Sequence, residues 1–106
     1  MKTKEQDKKL KEKTTIGKKV RFYDKINRNK YWHGKVIDEI SVISHDYKHF
    51  IQKIKWDDNG EIGFRICYYT ITKNGKNLVF GQYASQIPQK KFDELLKKCK
   101  EKANFL

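Results

Sequence analysis

Beyond residue 15, apolar and polar positions alternate in short runs separated by glycine, asparagine and aspartate, which is the pattern of short strands and turns. Runs rich in β-branched and aromatic residues predict five strands, over roughly residues 18–23, 31–43, 49–56, 62–72 and 77–83. The segment before Ile16 has a single leucine among charged residues and no apolar stripe that could dock. We therefore expect a flexible, disordered basic arm over residues 1–15 and one domain over residues 16–106.

The C-terminal segment changes to a helical period. Its apolar side chains recur at i, i+3, i+4 and i+7, in Phe92, Leu95, Leu96, Cys99 and Ala103. Pro88 suits the first turn of such a helix, and lysines gather near its end, where the helix dipole favours positive charge. The sequence therefore predicts a C-terminal α-helix whose apolar stripe covers a face of the sheet.

The turn between the fourth and fifth predicted strands fixes their register. Asn74-Gly75 is a preferred dipeptide of a type I′ hairpin, because both central residues of that turn take positive φ. The pairs that it sets opposite each other are Tyr69 with Phe80 and Ile71 with Leu78. These side chains form a second apolar face that something must cover, and the C-terminal helix is the candidate.

The turn between the third and fourth predicted strands leaves two registers open. A two-residue turn at Asn59-Gly60 would place Trp56 opposite Gly63. A three-residue loop over residues 58–60 would instead place Trp56 opposite Ile62, and we expect this loop because it brings apolar groups together on one face. The core on that register consists of Val20, Phe22, Val36, Ile40, Val42, Phe50, Ile54, Trp56, Phe64 and Ile66.

The face opposite this core collects basic and aromatic side chains. Its candidate site residues are Tyr31, His33, Lys35, His49, Lys53, Lys55, Arg65 and Tyr69. Such a mixture suits nucleic acid, because lysine and arginine neutralise phosphates while aromatic rings stack on exposed bases. The alternative explanation is that half-exposed strands carry lysines only to limit aggregation.

The chain as a whole is strongly basic. The formal net charge is +12, and seventeen basic residues against ten acidic ones remain beyond residue 19. A surface with such an excess attracts polyanions through its long-range field and through counterion release. We therefore expect a non-enzymatic domain that binds nucleic acid, DNA or RNA, with little sequence specificity.

A protein-protein interaction module is the second hypothesis. It would use the second apolar face, where Tyr69 is joined by the alternative partner-surface residues Ile71, Leu78 and Phe80. The position of the C-terminal helix discriminates between the two hypotheses. A helix that covers this face removes the surface, and a helix that packs elsewhere leaves it open.

Two segments resemble the opening hairpin of SH3-like and Tudor-like small barrels. These are IGKKV at residues 16–20 and YWHGKV at residues 31–36, in which a glycine precedes the first strand. The resemblance implies a mainly β (α+β) fold, a five-stranded small barrel followed by the C-terminal helix, and it assigns no function because such barrels host many. In a Tudor-like barrel, Tyr23, Tyr31 and Trp32 with Asp24 could hold a methylated cation, but core packing of Trp32 is the favoured explanation.

Enzymatic and cofactor motifs are missing from the sequence. It has no P-loop and no GxSxG motif, and we expect neither catalysis nor a cofactor. Asp38 would point with the apolar residues as a buried carboxylate, unless a β-bulge near it reverses the strand's side chains.

The cysteines and histidines predict no metal site. Cys67 and Cys99 lie outside any CxxC motif and indicate reduced core thiols. His45 and His49 could reach a metal together with Cys67 only through a tight turn, so we expect no metal. No segment is apolar enough for export or for a membrane span, and a cytoplasmic location is the expectation.

Overall fold

The computed structural model describes residues 4–24, 26, 30–81 and 85–106. Its elements are α1 (Lys4–Glu12), β1 (Lys19–Asp24), β2 (Lys30–Ser44), β3 (Tyr47–Trp56), β4 (Ile62–Ile71), β5 (Leu78–Phe80) and α2 (Gln89–Glu101). The five strands form one antiparallel sheet in which each strand pairs with the next in chain order. The sheet curls into a half-barrel, so the predicted mainly β fold with five strands and a C-terminal helix is confirmed.

Strand β2 contributes to both faces of the sheet through a β-bulge. Val36 lies opposite Ile54, but after the bulge Asp38 lies opposite Lys53, so the residues beyond it point to the other face. Of the two alternatives considered for Asp38, a buried carboxylate or a β-bulge, the structure has the bulge. It turns Ile40 and Val42 away from the face that carries Val36.

Each face of the sheet has its own core. The α2 face is the one on which Ile40, Val42 and Ile51 pack against Leu95, Cys99 and Phe105, with Ile87 at the margin. The α1 face is the opposite one, where Phe50, Cys67 and Tyr69 pack together with Leu78. Because both faces are covered, neighbouring residues such as Phe50 and Ile51 are both buried.

Helix α2 is fastened to β2 by its lysines. The Lys98 ammonium donates a hydrogen bond to the Ser41 carbonyl at 2.7 Å. Lys102 donates to the Asp38 carboxylate at 2.6 Å, and this contact keeps Asp38 at the rim of the core rather than within it. Leu95 and Cys99 are the buried residues of α2.

The N-terminal segment differs from the expected flexible arm. Residues Lys4–Glu12 form helix α1, and Leu10 is completely buried. The ammonium of Lys48 donates to the carbonyls of Lys11 at 3.0 Å and Lys13 at 2.6 Å, where the negative end of the helix dipole lies. Leu10 and the Lys48 ammonium thus bind this segment to the sheet. The segment has no stripe of apolar residues, which is the feature from which a docked helix is predicted in a sequence.

The β4–β5 register is as predicted, but the turn is of another kind. Tyr69 lies opposite Phe80, and Ile71 lies opposite Leu78. Gly75 has a φ of 70°, whereas Asn74 has no positive φ, so the turn is not type I′. Strand β5 ends at Phe80, and the predicted continuation at 82–83 lies outside the described residues.

The predicted β3–β4 register is wrong by one residue. Lys55 lies opposite Ile62 and Ile54 opposite Gly63, because the loop has four residues, 57–60, and closes with a Trp56 N–H to Glu61 carbonyl bond of 2.9 Å. The shift moves every side chain of β4 to the other face. Two predicted core residues of β4 are consequently exposed, Phe64 at 47% and Ile66 at 55%. Phe22, a third predicted core residue, lies on the edge strand β1 and is 57% exposed.

Candidate nucleic-acid interface

The predicted site residues divide between the two faces of the sheet. Six of them lie on the α2 face, because the β2–β3 register and the alternation of side chains place them on the same face as Ile40 and Ile51. These are Tyr31, His33, Lys35, His49, Lys53 and Lys55. Arg65 and Tyr69 lie on the α1 face, because Arg65 is opposite Gln52 rather than Lys53. Their assignment to the same surface was wrong, and the one-residue error in the β3–β4 register is the reason.

A row of lysines crosses three strands at the end of the α2 face that helix α2 leaves open. Lys19 lies opposite Lys35 across β1 and β2, and Lys35 lies opposite Lys55 across β2 and β3. All three side chains are exposed. Directly opposed residues have Cβ atoms about 5 Å apart, where like charges repel. We name these residues the lysine row.

No carboxylate within the described ranges forms an ion pair with the lysine row or with Arg21. A positive row that serves only the sheet would be more stable with acidic or neutral residues interleaved. Lys19 and Arg21 were not among the predicted site residues. Their positions follow from the alternation of β1 and its antiparallel pairing with β2, which the sequence pattern does contain.

Aromatic side chains continue this surface along β1 and β2. Tyr23 lies opposite Tyr31, with ring centroids 4.9 Å apart, and Arg21 places its guanidinium carbon 4.8 Å from the Tyr31 centroid. The Tyr31 side chain is 45% exposed. Together with the lysine row these residues form the β1–β3 surface, which consists of Lys19, Arg21, Tyr23, Tyr31, His33, Lys35 and Lys55.

Lys53 lies beside this surface but is engaged elsewhere. Its ammonium donates to the backbone carbonyl of Asn104 at 2.7 Å. The contact fixes the segment after α2, where Phe105 is completely buried. Lys53 therefore supports the C-terminal segment and contributes its charge to the surface from one side.

His49 is buried on the α2 face at the far end from the lysine row. Only 2% of its surface is exposed, and neither ring nitrogen has a hydrogen-bond partner among the described residues. The rings of Tyr47 and Tyr68 lie near it, with centroids 6.3 Å and 6.1 Å away. Desolvation by burial lowers the pKa of His49, so the site favours the neutral ring. Contact with a phosphate is not available to it in this conformation.

Arg65 and Tyr69 belong to a polar network inside the α1 face. Arg65 Nε donates to Gln52 Oε1 at 2.9 Å, and Gln52 Nε2 donates to the Tyr69 hydroxyl at 3.3 Å and to the Thr15 hydroxyl at 3.0 Å. Thr15 in turn donates to the Glu39 carboxylate at 2.7 Å. Burial is the main cause that raises the pKa of Tyr69. These residues hold the sheet and the N-terminal segment together.

The second apolar face, proposed for a protein partner, is only partly available. Helix α2 packs on the opposite face, yet Tyr69 is 5% exposed because Phe50, Leu78 and Phe80 surround it. Ile71 and Leu78 are half-buried. Phe80 is 45% exposed, and the Arg65 guanidinium carbon lies 4.7 Å from its ring centroid.

The described part of the chain contains no group of three or more His, Cys, Asp or Glu side chains that could hold a metal ion. Cys67 and Cys99 are both buried free thiols. Burial raises the pKa of Cys67 to about 11. No helix among the described residues is long and apolar enough to cross a membrane.

Comparison of the chain with protein-family models, with curated proteins and with solved structures gives no match.

Proposed function

We propose that this domain binds nucleic acid through the β1–β3 surface. The observation that carries the proposal is the lysine row, in which Lys19, Lys35 and Lys55 lie side by side without a carboxylate partner in the described structure. Such a row costs folding free energy through repulsion, and an anionic ligand would offset that cost. The net charge of +12 favours the approach of a polyanion from any direction.

The binding mode follows from the chemistry of the surface. The lysine row and Arg21 would neutralise phosphates, and the exposed part of the Tyr31 ring would stack on a base. Stacking needs an accessible base, so single-stranded nucleic acid is the preferred form. The surface offers no asparagine or glutamine for bidentate contacts to base edges, and sequence specificity should be slight.

The test is fluorescence anisotropy with labelled single- and double-stranded DNA and RNA over a salt series. Neutralising the lysine row by Lys19→Gln, Lys35→Gln and Lys55→Gln together should weaken binding at least about tenfold and reduce the salt slope by about two. The matched control removes equal charge from α2 by Lys90→Gln, Lys97→Gln and Lys100→Gln. Equal losses in both triple variants would show that only net charge matters and would contradict the proposed surface.

Stacking is tested separately. Tyr31→Ala should weaken binding to single strands by roughly 5- to 150-fold, the range of one base–aromatic stack, and should affect double strands less. Tyr47→Ala is the control, because Tyr47 is also about half exposed, at 43%, but lies at the far end of the α2 face. Equal effects of the two substitutions would contradict a stacking role for Tyr31.

A protein-interaction module is the second candidate, supported by a different surface from the one expected. Ile62, Phe64 and Ile66 form an exposed apolar row on β4, with 46%, 47% and 55% of their surfaces accessible. Sedimentation equilibrium tests whether this row joins two copies. Self-association that Ile66→Thr abolishes would favour this candidate. A monomer at all concentrations would show that the row does not join two copies.

A further inference from the structure

An aromatic cleft lies on the α1 face at the end of the sheet that carries the lysine row on its other side. It is lined by Phe22, Trp32, Trp56, Asn59 and Glu61 and has a volume of about 270 Å³. Phe22 and Trp32 are opposite each other across β1 and β2. Trp56 lies on the next strand, β3, opposite Gly34. That volume suits a group of side-chain size better than a nucleotide or a drug-sized ligand.

Two glycines fix the position of Trp56 in this cleft. A Cβ atom at Gly34 would lie 2.8 Å from Trp56 Cε3, and one at Gly63 would lie 3.0 Å from Trp56 Nε1. The indole therefore lies against the backbones of both neighbouring strands, in space that any other residue at these positions would occupy. Phe22, at 57% exposed, leaves the opposite wall open to solvent.

Carboxylates surround this cleft, although the chain as a whole is basic. Glu61 lines it, and the Asp24 carboxylate accepts a hydrogen bond from Trp32 Nε1 at 3.3 Å. Asp57 and Asp58 lie in the adjoining β3–β4 loop. Three carboxylates, those of Asp24, Asp58 and Glu61, thus lie at or beside the aromatic rings of this cleft, and they make it a poor site for phosphate.

The chain itself already places a cation in this environment. The Lys30 ammonium lies 4.2 Å from the centroid of the Trp32 ring and 3.1 Å from the Asp58 carboxylate. An indole face with a nearby carboxylate attracts a cation through the ring quadrupole and through its charge. Trp56 and Phe22, with Glu61 beside them, offer the same combination without a cation of their own among the described residues.

We propose that the aromatic cleft binds a cationic side chain, lysine or arginine, of a protein partner. The rings of Trp56 and Phe22 contact the alkyl stem and the charged head, and Glu61 supplies the opposing charge. This site is independent of the β1–β3 surface, since the two lie on opposite faces of the sheet. A domain with both could hold a nucleic acid on one face and a basic protein segment on the other.

The test follows the indole N–H resonances of Trp32 and Trp56 in ¹H–¹⁵N spectra. The probe is choline chloride, and its neutral isostere 3,3-dimethyl-1-butanol and sodium chloride at equal ionic strength are the controls. Choline should give a saturating shift of the Trp56 resonance and bind at least about fivefold more tightly than the isostere, as a cation–π contact of about 1 kcal/mol requires. Equal binding of the isostere, or an equal shift with sodium chloride, would overturn the proposal.

Two variants locate the binding energy. Glu61→Gln should weaken choline binding by about fivefold or more, since it removes the opposing charge while leaving the backbone bond of Glu61 to Trp56 in place. Glu101→Gln, in α2, is the matched control and should leave choline binding unchanged. An unchanged affinity in Glu61→Gln would overturn the assigned counter-charge. Peptides with one central lysine or arginine should shift the same resonance, and their failure to do so would limit the cleft to small cations and contradict the partner.

Discussion

Lys35 lies directly opposite Lys55 across β2 and β3, and both side chains are exposed. Two like charges at this spacing destabilise a sheet. The size of the effect is comparable to the roughly 0.2–1 kcal/mol that a favourable cross-strand pair contributes. We therefore predict that Lys35→Gln and Lys55→Gln each increase the free energy of unfolding by about 0.2–1 kcal/mol. Urea denaturation measures the change, and the gain should shrink at high salt because salt screens the repulsion.

Lys100→Gln is the control for that prediction. Lys100 lies in the last turn of α2, where a positive charge is favourable, so its loss should not stabilise the protein. If nucleic-acid binding falls in the two lysine variants while stability rises, the row is kept for a ligand rather than for the fold. A loss of stability in both variants would contradict the repulsion on which this interpretation depends.

The polar network around Gln52 gives the second prediction. Gln52 is completely buried, and its amide connects Thr15, Arg65 and Tyr69. Gln52→Leu should lower the free energy of unfolding by about 1–3 kcal/mol, because it leaves buried polar groups without partners. Gln86→Leu, the same change at an exposed position, is the comparison for stability measured in urea. A loss below about 0.5 kcal/mol in Gln52→Leu would show that the network is not required.

The register of β4 shows how far the sequence predicts this fold. The β4–β5 pairing was predictable because a short turn with glycine at its positive-φ position leaves one register. The β3–β4 pairing was not, because Phe64 and Ile66 alternate with Arg65 and Cys67 in a way that suits either face. A rule that matches apolar residues with one another assumes a single buried face, whereas this sheet is covered on both.

The candidate site was predictable where it depends on local alternation. Lys35 and Lys55 share a surface with Tyr31 because their spacing along β2 and across the β2–β3 pair determines it. Arg65 could not be placed without the correct β3–β4 loop, which hydrogen bonds rather than composition decide. The docking of the N-terminal segment depends on Lys48, a cation that donates to helix carbonyls, and no period in the sequence signals such a contact.

Leu10 is the residue that tests the docking of α1. It is completely buried, so Leu10→Ala should cost about 2 kcal/mol or more of unfolding free energy. The same change should accelerate amide hydrogen exchange in the second half of α1, because the helix then undocks more often. Lys8→Ala, at an exposed position of the helix, is the control and should be nearly neutral. Equal effects of the two substitutions would mean that α1 does not depend on its leucine.

The cysteines should be unreactive in the folded protein. Burial raises the pKa of Cys67 to about 11, and Cys67 and Cys99 are 6% and 7% exposed. Thiolate is the reactive form, so both should resist a thiol reagent such as Ellman's reagent at neutral pH and react fully in denaturant. Leu10→Ala should speed the reaction of Cys67 more than that of Cys99, since Cys67 lies on the α1 face. Rapid labelling of native wild-type protein would contradict the burial of these thiols.

His49 should make the stability of the protein fall in weakly acidic solution. Burial lowers its pKa from the ordinary value of 6.5, and the rings of Tyr47 and Tyr68 offer no charge to offset protonation. As the pH falls below about 6.5, His49 becomes protonated in the unfolded chain but stays neutral in the folded protein. Above roughly pH 7, His49 should therefore make a constant contribution to the free energy of unfolding. Below that pH its contribution should fall by at most about 1.4 kcal/mol per pH unit, until the pKa of His49 in the folded protein is reached.

His49→Phe removes this titration while keeping a ring of similar size between Tyr47 and Tyr68. Its urea denaturation, compared with that of the wild type between about pH 5 and pH 8, should lack the component that His49 contributes and should be relatively more stable at the acidic end. Tyr47→Phe keeps His49 and is the control, in which the pH dependence should persist. An identical slope in His49→Phe and the wild type would assign the acid sensitivity to other groups and would show that the buried ring is not the one that titrates.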